Sequence, residues 1–225
     1  MKLYHATLAV FLSTVVISHT RAEVVIVAVE TEDSVVLAGS GSFNLSALSN
    51  GFLASNGKGI RTGISGATPD VRVGPPHGPF SGPNYDPYMG DSLSTPEGFG
   101  PPPSFPAEDV VLGLLPGFHI AESGTGDLFG AAYFYIDDGG TLVPLVPALI
   151  VPAFYTSGTE LAGTAIFSGE TFDSLGIIPG SYTWTWGSGA TFDSFTLLIV
   201  PEPSSILLAL SAIFAPFVCR SRLFC

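Results

Sequence analysis

The chain has 225 residues, 46% of them hydrophobic and only 12% charged, with 7 Lys and Arg against 19 Asp and Glu and a formal net charge of −12. It is too apolar and aromatic for a disordered polyelectrolyte, and too acidic for a nucleic-acid binder, which needs cations to displace counterions from phosphates. The length suits one core domain plus accessory segments.

Residues 1–22 read as a secretory signal peptide. Lys2 supplies a positive start, residues 8–17 (LAVFLSTVVI) form a ten-residue apolar run, and Thr20-Arg21-Ala22 offers small residues for cleavage. The run is short of the roughly 20 apolar residues that span a bilayer. Cleavage after Ala22 leaves Glu23 as the mature N-terminus. Residues 23–199 hold no cysteine, so the exported portion is expected to fold by packing alone, without a disulfide or a Cys-ligated metal.

This region reads as all-β and β-sandwich-like. Short β-branched and aromatic runs recur between Gly, Ser, Asp and Pro, and no segment sustains helical apolar spacing. Strands are predicted over residues 24–29, 40–48, 110–115, 130–136, 142–155, 163–167, 181–186 and 194–199. Between them, residues 69–106 hold eleven of the nineteen prolines. Proline fixes φ and removes a donor, so this stretch is predicted to be a long irregular loop with no central strand. Its scattered Phe80, Tyr85, Tyr88 and Phe99 suggest that it folds back on the β portion.

Catalytic chemistry finds little support. His77 and His119 are the histidines beyond the signal segment, one in the proline-rich stretch and one between Phe118 and Ile120 on a predicted strand. No Gly-x-Ser-x-Gly elbow, His-Glu-x-x-His or phosphate-binding loop is present. Glu160 and Glu170 are the carboxylates nearest an apolar setting for a glycosidase pair. Asp137-Asp138-Gly139-Gly140 is the best calcium suggestion, but its composition is that of a hairpin turn. Gly124 to Asp127 reads as a turn. No catalytic residue, cofactor or metal site is assigned.

The clearest strand is residues 181–186 (SYTWTW), with Tyr182, Trp184 and Trp186 on one face and Ser181, Thr183 and Thr185 on the other. Gly187-Ser188-Gly189 turns the chain into a second strand carrying Phe195, Leu197 and Ile199 on one face. This predicts a hairpin with a loop of about seven residues. The aromatic stripe either packs the core against a second sheet or forms a sugar-stacking platform; burial of the two tryptophans separates these readings.

The last segment is Val200-Pro201-Glu202-Pro203-Ser204-Ser205, then residues 206–218 (ILLALSAIFAPFV), then Cys219-Arg220-Ser221-Arg222. The prolines terminate the preceding strand. The thirteen apolar residues make a short membrane helix of about 20 Å. Arg220 and Arg222 hold its end on the cytoplasmic side, leaving the bulk of the chain outside. Pro201-Glu202-Pro203, a short apolar helix and a basic end in this order resemble the PEP-CTERM sorting signal of exported bacterial proteins. Residues 157–199, with their Pro-Gly turn, Trp-Thr-Trp-Gly-Ser-Gly strand and Asp-Ser-aliphatic strand, look like a module that precedes this signal in many such proteins.

The resemblance implies sorting by an exosortase, a membrane transpeptidase, and association with extracellular polysaccharide. A plain single-pass anchor is the alternative for the tail. The expected function is therefore that of an exported, non-enzymatic surface or extracellular-matrix protein of structural or interaction type. A carbohydrate-binding or adhesin-like β domain is the first alternative, and a secreted glycan hydrolase the second.

Overall fold

The computed structural model describes residues 23–50, 62–66, 69–76, 84–100, 118–138 and 141–201, and only the backbone over 134–138 and 141–146. In chain order the strands are β1 (Glu23–Glu30), β2 (Ser34–Gly41), β3 (Ser49–Asn50), β4 (Gly63–Ser65), β5 (Asp70–Val73), β6 (Tyr85–Met89) and β7 (His119–Ile120). They continue as β8 (Ser123–Gly126), β9 (Phe129–Asp138), β10 (Thr141–Pro152), β11 (Leu161–Ser168), β12 (Gly180–Trp186) and β13 (Asp193–Val200). A 3-10 turn, Gly189–Thr191, lies between the last two. The described chain is thus all-β, and it forms two sheets.

The first sheet runs β12-β13-β1-β2-β11-β8 and the second β3-β6-β10-β9-β5-β4-β7. β1 shows why the sheets pair. Its sequence EVVIVAVE buries every second residue, Val24, Ile26 and Ala28, while Val25, Val27 and Val29 stay half-buried on the other face. The inner faces of both sheets meet in one core. Ile26, Phe195 and Leu197 come from the first sheet, and Val71, Phe129 and Leu149 from the second. Two sheets sharing one core are consistent with a β-sandwich.

β1 lies antiparallel to β2 and parallel to β13, with Glu23 opposite Ser194 and Val29 opposite Val200. The parallel register puts the two ends of the described chain at opposite ends of the sheet. A parallel pair needs a long crossover, and here almost the whole domain supplies it.

Three sequence expectations require correction. The strand expected at residues 40–48 lies instead at Ser34–Gly41. Beyond Gly41 the backbone donors go to side chains: Phe43 N–H to Tyr155 Oη (2.8 Å), Asn44 N–H to Asp193 Oδ2 (2.7 Å) and Leu45 N–H to Ser157 Oγ (3.0 Å). Chain so clamped cannot also enter a ladder. Gly39 obscures β2 in the sequence, yet a Cβ there would stand 2.7 Å from Ile26 Cγ1 and 3.0 Å from the Phe129 ring. The glycine makes room for that ring in the core.

The second correction concerns residues 69–106. They contain β5, which is interior between β9 and β4, and β6, which pairs with β10. β5 (DVRV) holds no proline. Pro87 of β6 pairs opposite Ile150, whereas β3 reaches only Tyr88 and Met89. Pro87 therefore has a strand neighbour on one side only among the described residues, where a missing amide is tolerated. Pro144 of β10 is accommodated in a similar way, at a register shift between Val143 and Val146. The stretch does fold back: Phe99 is 1% exposed and packs on Trp184 with ring centroids 6.4 Å apart.

The third correction is β8. Ser123–Gly126 pairs with β11 as an edge strand, and Asp127 Oδ2 accepts from Ala162 N–H at 3.1 Å. A Cβ on Gly124 would stand 2.3 Å from the carbonyl oxygens of Gly74 and Thr164, so only glycine passes there. The strand expected at 110–115 lies outside the described residues.

Candidate functional site

The β12–β13 hairpin forms with Trp184 opposite Phe195 and Trp186 opposite Asp193, joined by six residues. Trp184 is fully buried and Trp186 is 1% exposed, while Tyr182 is half-buried. Trp184 stacks on Phe195 with centroids 4.6 Å apart and planes at 26°. Phe43 joins Trp186 to the rest of the core, at 5.8 Å from Trp186 and 6.4 Å from Phe129. The Trp186 Nε1–H donates to the Asn44 carbonyl at 2.7 Å. Neither indole offers a face to a sugar. The stripe is core, and the polar partners Ser181 and Thr183 face solvent.

At the turn end of this hairpin Asp193 is only 2% exposed. It accepts from Asn44 N–H through Oδ2 and from Ser194 N–H through Oδ1, at 2.7 and 2.8 Å. Burial pushes its pKa from 3.8 up to about 6; the two N–H bonds pull it down, and nearby Glu23 adds to the rise. Tyr155 completes the clamp on residues 43–45, donating to the Thr159 carbonyl at 2.7 Å. Sequence reading missed Asp193, although Asp-Ser at a strand start after an aromatic hairpin is the available signal.

A carboxylate with a raised folded pKa favours the folded state when protonated. Its contribution is fully present below the unfolded value of 3.8 and is lost as pH rises through about 6. Thermal unfolding should therefore show stability falling across this window, superimposed on general relief of anionic repulsion at low pH. Asp193→Asn should flatten that component, and an unchanged pH slope in this variant would remove the assignment.

Two further acidic residues are buried. Asp70, fully buried, holds Arg72 in a bidentate pair, Nε to Oδ1 at 2.7 Å and Nη2 to Oδ2 at 2.8 Å. The Arg72 guanidinium also lies 4.4 Å from the centroid of the Phe118 ring. Burial raises the Asp70 pKa more than Arg72 lowers it. The pair sits on the face of β5 opposite Val71 and Val73, with almost no solvent access, so it joins the interior of the second sheet rather than opening a site. Asp86, 3% exposed, accepts from Phe154 N–H at 2.8 Å through Oδ2. That bond holds Phe154 at φ 64° with its ring 77% exposed. Left-handed backbone is costly for a bulky residue, and the buried carboxylate is what sustains it here.

The other residues singled out in the sequence do not converge. His119 is half-buried on β7 opposite Ile64. Glu160 is exposed, and Glu170 accepts from Ser174 Oγ within its own turn. Asp138 pairs with Thr141, so Asp137 and Asp138 belong to the β9–β10 hairpin. Pro201 is exposed directly after β13. His77, Glu202, Pro203, residues 206–218, Arg220 and Arg222 lie outside the described residues. Among the described residues no three His, Cys, Asp or Glu side chains group as a metal site, and no helix is long and apolar enough to cross a membrane.

No protein-family model, no curated protein and no solved structure matches this chain.

Proposed function

We propose that this is an exported bacterial surface or extracellular-matrix protein of structural or interaction type, without enzymatic activity, sorted through a PEP-CTERM-like C-terminal signal. In this reading a β-sandwich domain stands between a cleaved signal peptide and a short membrane helix. The observation that carries it is the order Pro201-Glu202-Pro203, apolar run, Arg220 and Arg222 at the end of the sequence. Two structural features support it. Glu23 to Glu30 are already a strand of the domain, so the sandwich needs nothing before the expected cleavage point to form β1, and β13 ends at Val200, leaving Pro201 exposed for a processing enzyme. Because β1 and β13 are parallel, the tethered end of the domain is the one remote from the mature N-terminus.

Under this reading Pro201, Glu202 and Pro203 carry recognition by an exosortase-like membrane enzyme. Residues 206–218 hold the chain in the inner membrane until cleavage, and Arg220 and Arg222 set its topology. The adhesin alternative loses its main support, since Trp184 and Trp186 are core residues.

Intact mass of protein recovered from the cell surface is the direct test. A mature species lacking Arg220 to Cys225 is expected. Pro201→Ala with Glu202→Ala should shift the protein into the membrane fraction; release of the double variant at the normal level would refute the sorting role.

A further inference from the structure

We propose that the outward face of the first sheet is a self-association surface whose occupant is a second copy of this chain, a step beyond the sorting reading and independent of it. The alternation that buries Val24 and Ile26 turns the other residues of six strands to one outward face. Its centre is apolar: Val25, Val27 and Val29 of β1, Val36 and Ala38 of β2, and Ile166 of β11, all half-buried. Cross-strand register makes this centre continuous, with Leu198 beside Val27, Val27 beside Ala38, Val29 beside Val36, and Val36 beside Ile166. Leu198 is 38% exposed.

Threonines flank the centre on both sides. Thr183 and Thr196 lie opposite each other on β12 and β13, with hydroxyls 3.3 Å apart. Thr125 and Thr164 do the same on β8 and β11 at 3.1 Å. The strand order is therefore palindromic in chemistry: threonine, valine, threonine. A two-fold axis in the plane of the face sets valine on valine and threonine on threonine, as an isologous interface requires.

Charge points to the same occupant. The chain carries a net charge of −12, so two copies repel through most of their surface. At the outward positions of these six strands the sole ionisable residue is Glu23, at the very start of β1 and so at one end of the sheet. This is where two copies can approach with least repulsion. A glycan fits less well, because the same positions carry no aromatic ring for stacking. A membrane surface fits less well, because they carry no Lys or Arg.

The size is adequate for a weak dimer. Six strands about 4.8 Å apart and about seven residues long at 3.3 Å each span roughly 600 Å² per copy. That gives roughly 1,200 Å² in total, the lower bound of specific interfaces. The two faces would pack about 10 Å apart, as stacked sheets do.

The test uses the full chain in its own cells, with Cys219→Ser and Cys225→Ser removing background thiols. Val27→Cys, at the centre of the face, should yield a disulfide-linked dimer on mild oxidation, whereas Ser188→Cys in the exposed hairpin loop should not. Adding Val36→Lys or Thr196→Lys to Val27→Cys puts one lysine from each copy into the two-fold interface and should cut the linked fraction at least tenfold, about 1.4 kcal/mol. Blue-shifted emission from the buried Trp184 and Trp186 confirms folding of each variant. Equal linkage through Ser188→Cys, no linkage through Val27→Cys, or linkage unaffected by both lysines in folded protein would overturn the proposal. Wild-type protein that pellets with an insoluble neutral glucan while Val27→Cys stays unlinked would also overturn it, assigning the face to a polysaccharide.

Discussion

Arg72→Met is expected to destabilise the protein by about 3–5 kcal/mol at neutral pH, because it leaves a buried carboxylate without its counter-charge. Asp70 is fully buried and both of its oxygens are engaged by Arg72, with one weak additional contact from Tyr133 N–H at 3.4 Å. Downstream of this pair the chain holds no Lys or Arg until Arg220, and among the described residues Arg72 is the cation paired with Asp70. The loss should depend on pH in a defined sense. Removing the guanidinium removes the influence that holds the Asp70 pKa down, so its folded value rises further above 3.8. A carboxylate in that position favours the folded state when protonated, so the variant should be most stable in acid and lose stability as pH rises. Urea unfolding followed by near-UV circular dichroism at two pH values measures both effects. Asp70→Asn combined with Arg72→Met should recover much of the loss. A cost below about 1 kcal/mol for Arg72→Met alone would mean that solvent reaches Asp70.

The second large effect lies in the aromatic hairpin. Trp184→Ala is expected to cost about 3–5 kcal/mol, the range for emptying a large core site that cannot collapse. Such a loss is comparable to the whole stability of many domains, so the variant should be largely unfolded under ordinary conditions. The two tryptophans differ in their polar atoms, and the difference gives a sharper comparison. Trp184 Nε1 is buried without a partner among the described residues, whereas Trp186 Nε1 donates to Asn44. Trp184→Phe therefore removes a group that was costly to bury. Trp186→Phe removes a bond worth about 1 kcal/mol and strips a donor from the Asn44 carbonyl. Trp186→Phe should be the more destabilising of the pair in chemical denaturation, and the reverse order would contradict the assigned hydrogen bond.

The parts of the fold legible in the sequence are those in which one strand reports its own environment. EVVIVAVE is marked as a strand by its β-branched run and alternates only in its burial. SYTWTW alternates with period 2 because one face of the strand meets the core and the other meets solvent. The hairpin of β12 and β13 was legible for the same reason, with Gly187 and Gly189 marking its turn. β5 was not legible. DVRV alternates, but its polar face is buried, and a buried Asp-Arg pair reads in sequence as a solvated one. β2 and β8 were hidden by glycines whose purpose is visible only from across the structure: Gly39 yields space to Phe129, and Gly124 passes between two carbonyl oxygens. Residues 42–48 failed in the opposite direction, since Tyr155, Asp193 and Ser157, more than a hundred residues away, take the backbone amides of residues 43–45.

Sequence alone thus determined the all-β class and the residue pattern of the hairpin, because these follow from local periodicity and composition. Tertiary structure decided what each pattern faces. It turned the aromatic stripe inward, drew two strands out of the proline-rich stretch, and buried Asp193 so that its proton is held to about pH 6. It also joined β1 to β13 in parallel, which no local signal announces, because a pairing between the two ends of a domain is stabilised only once everything between them has packed.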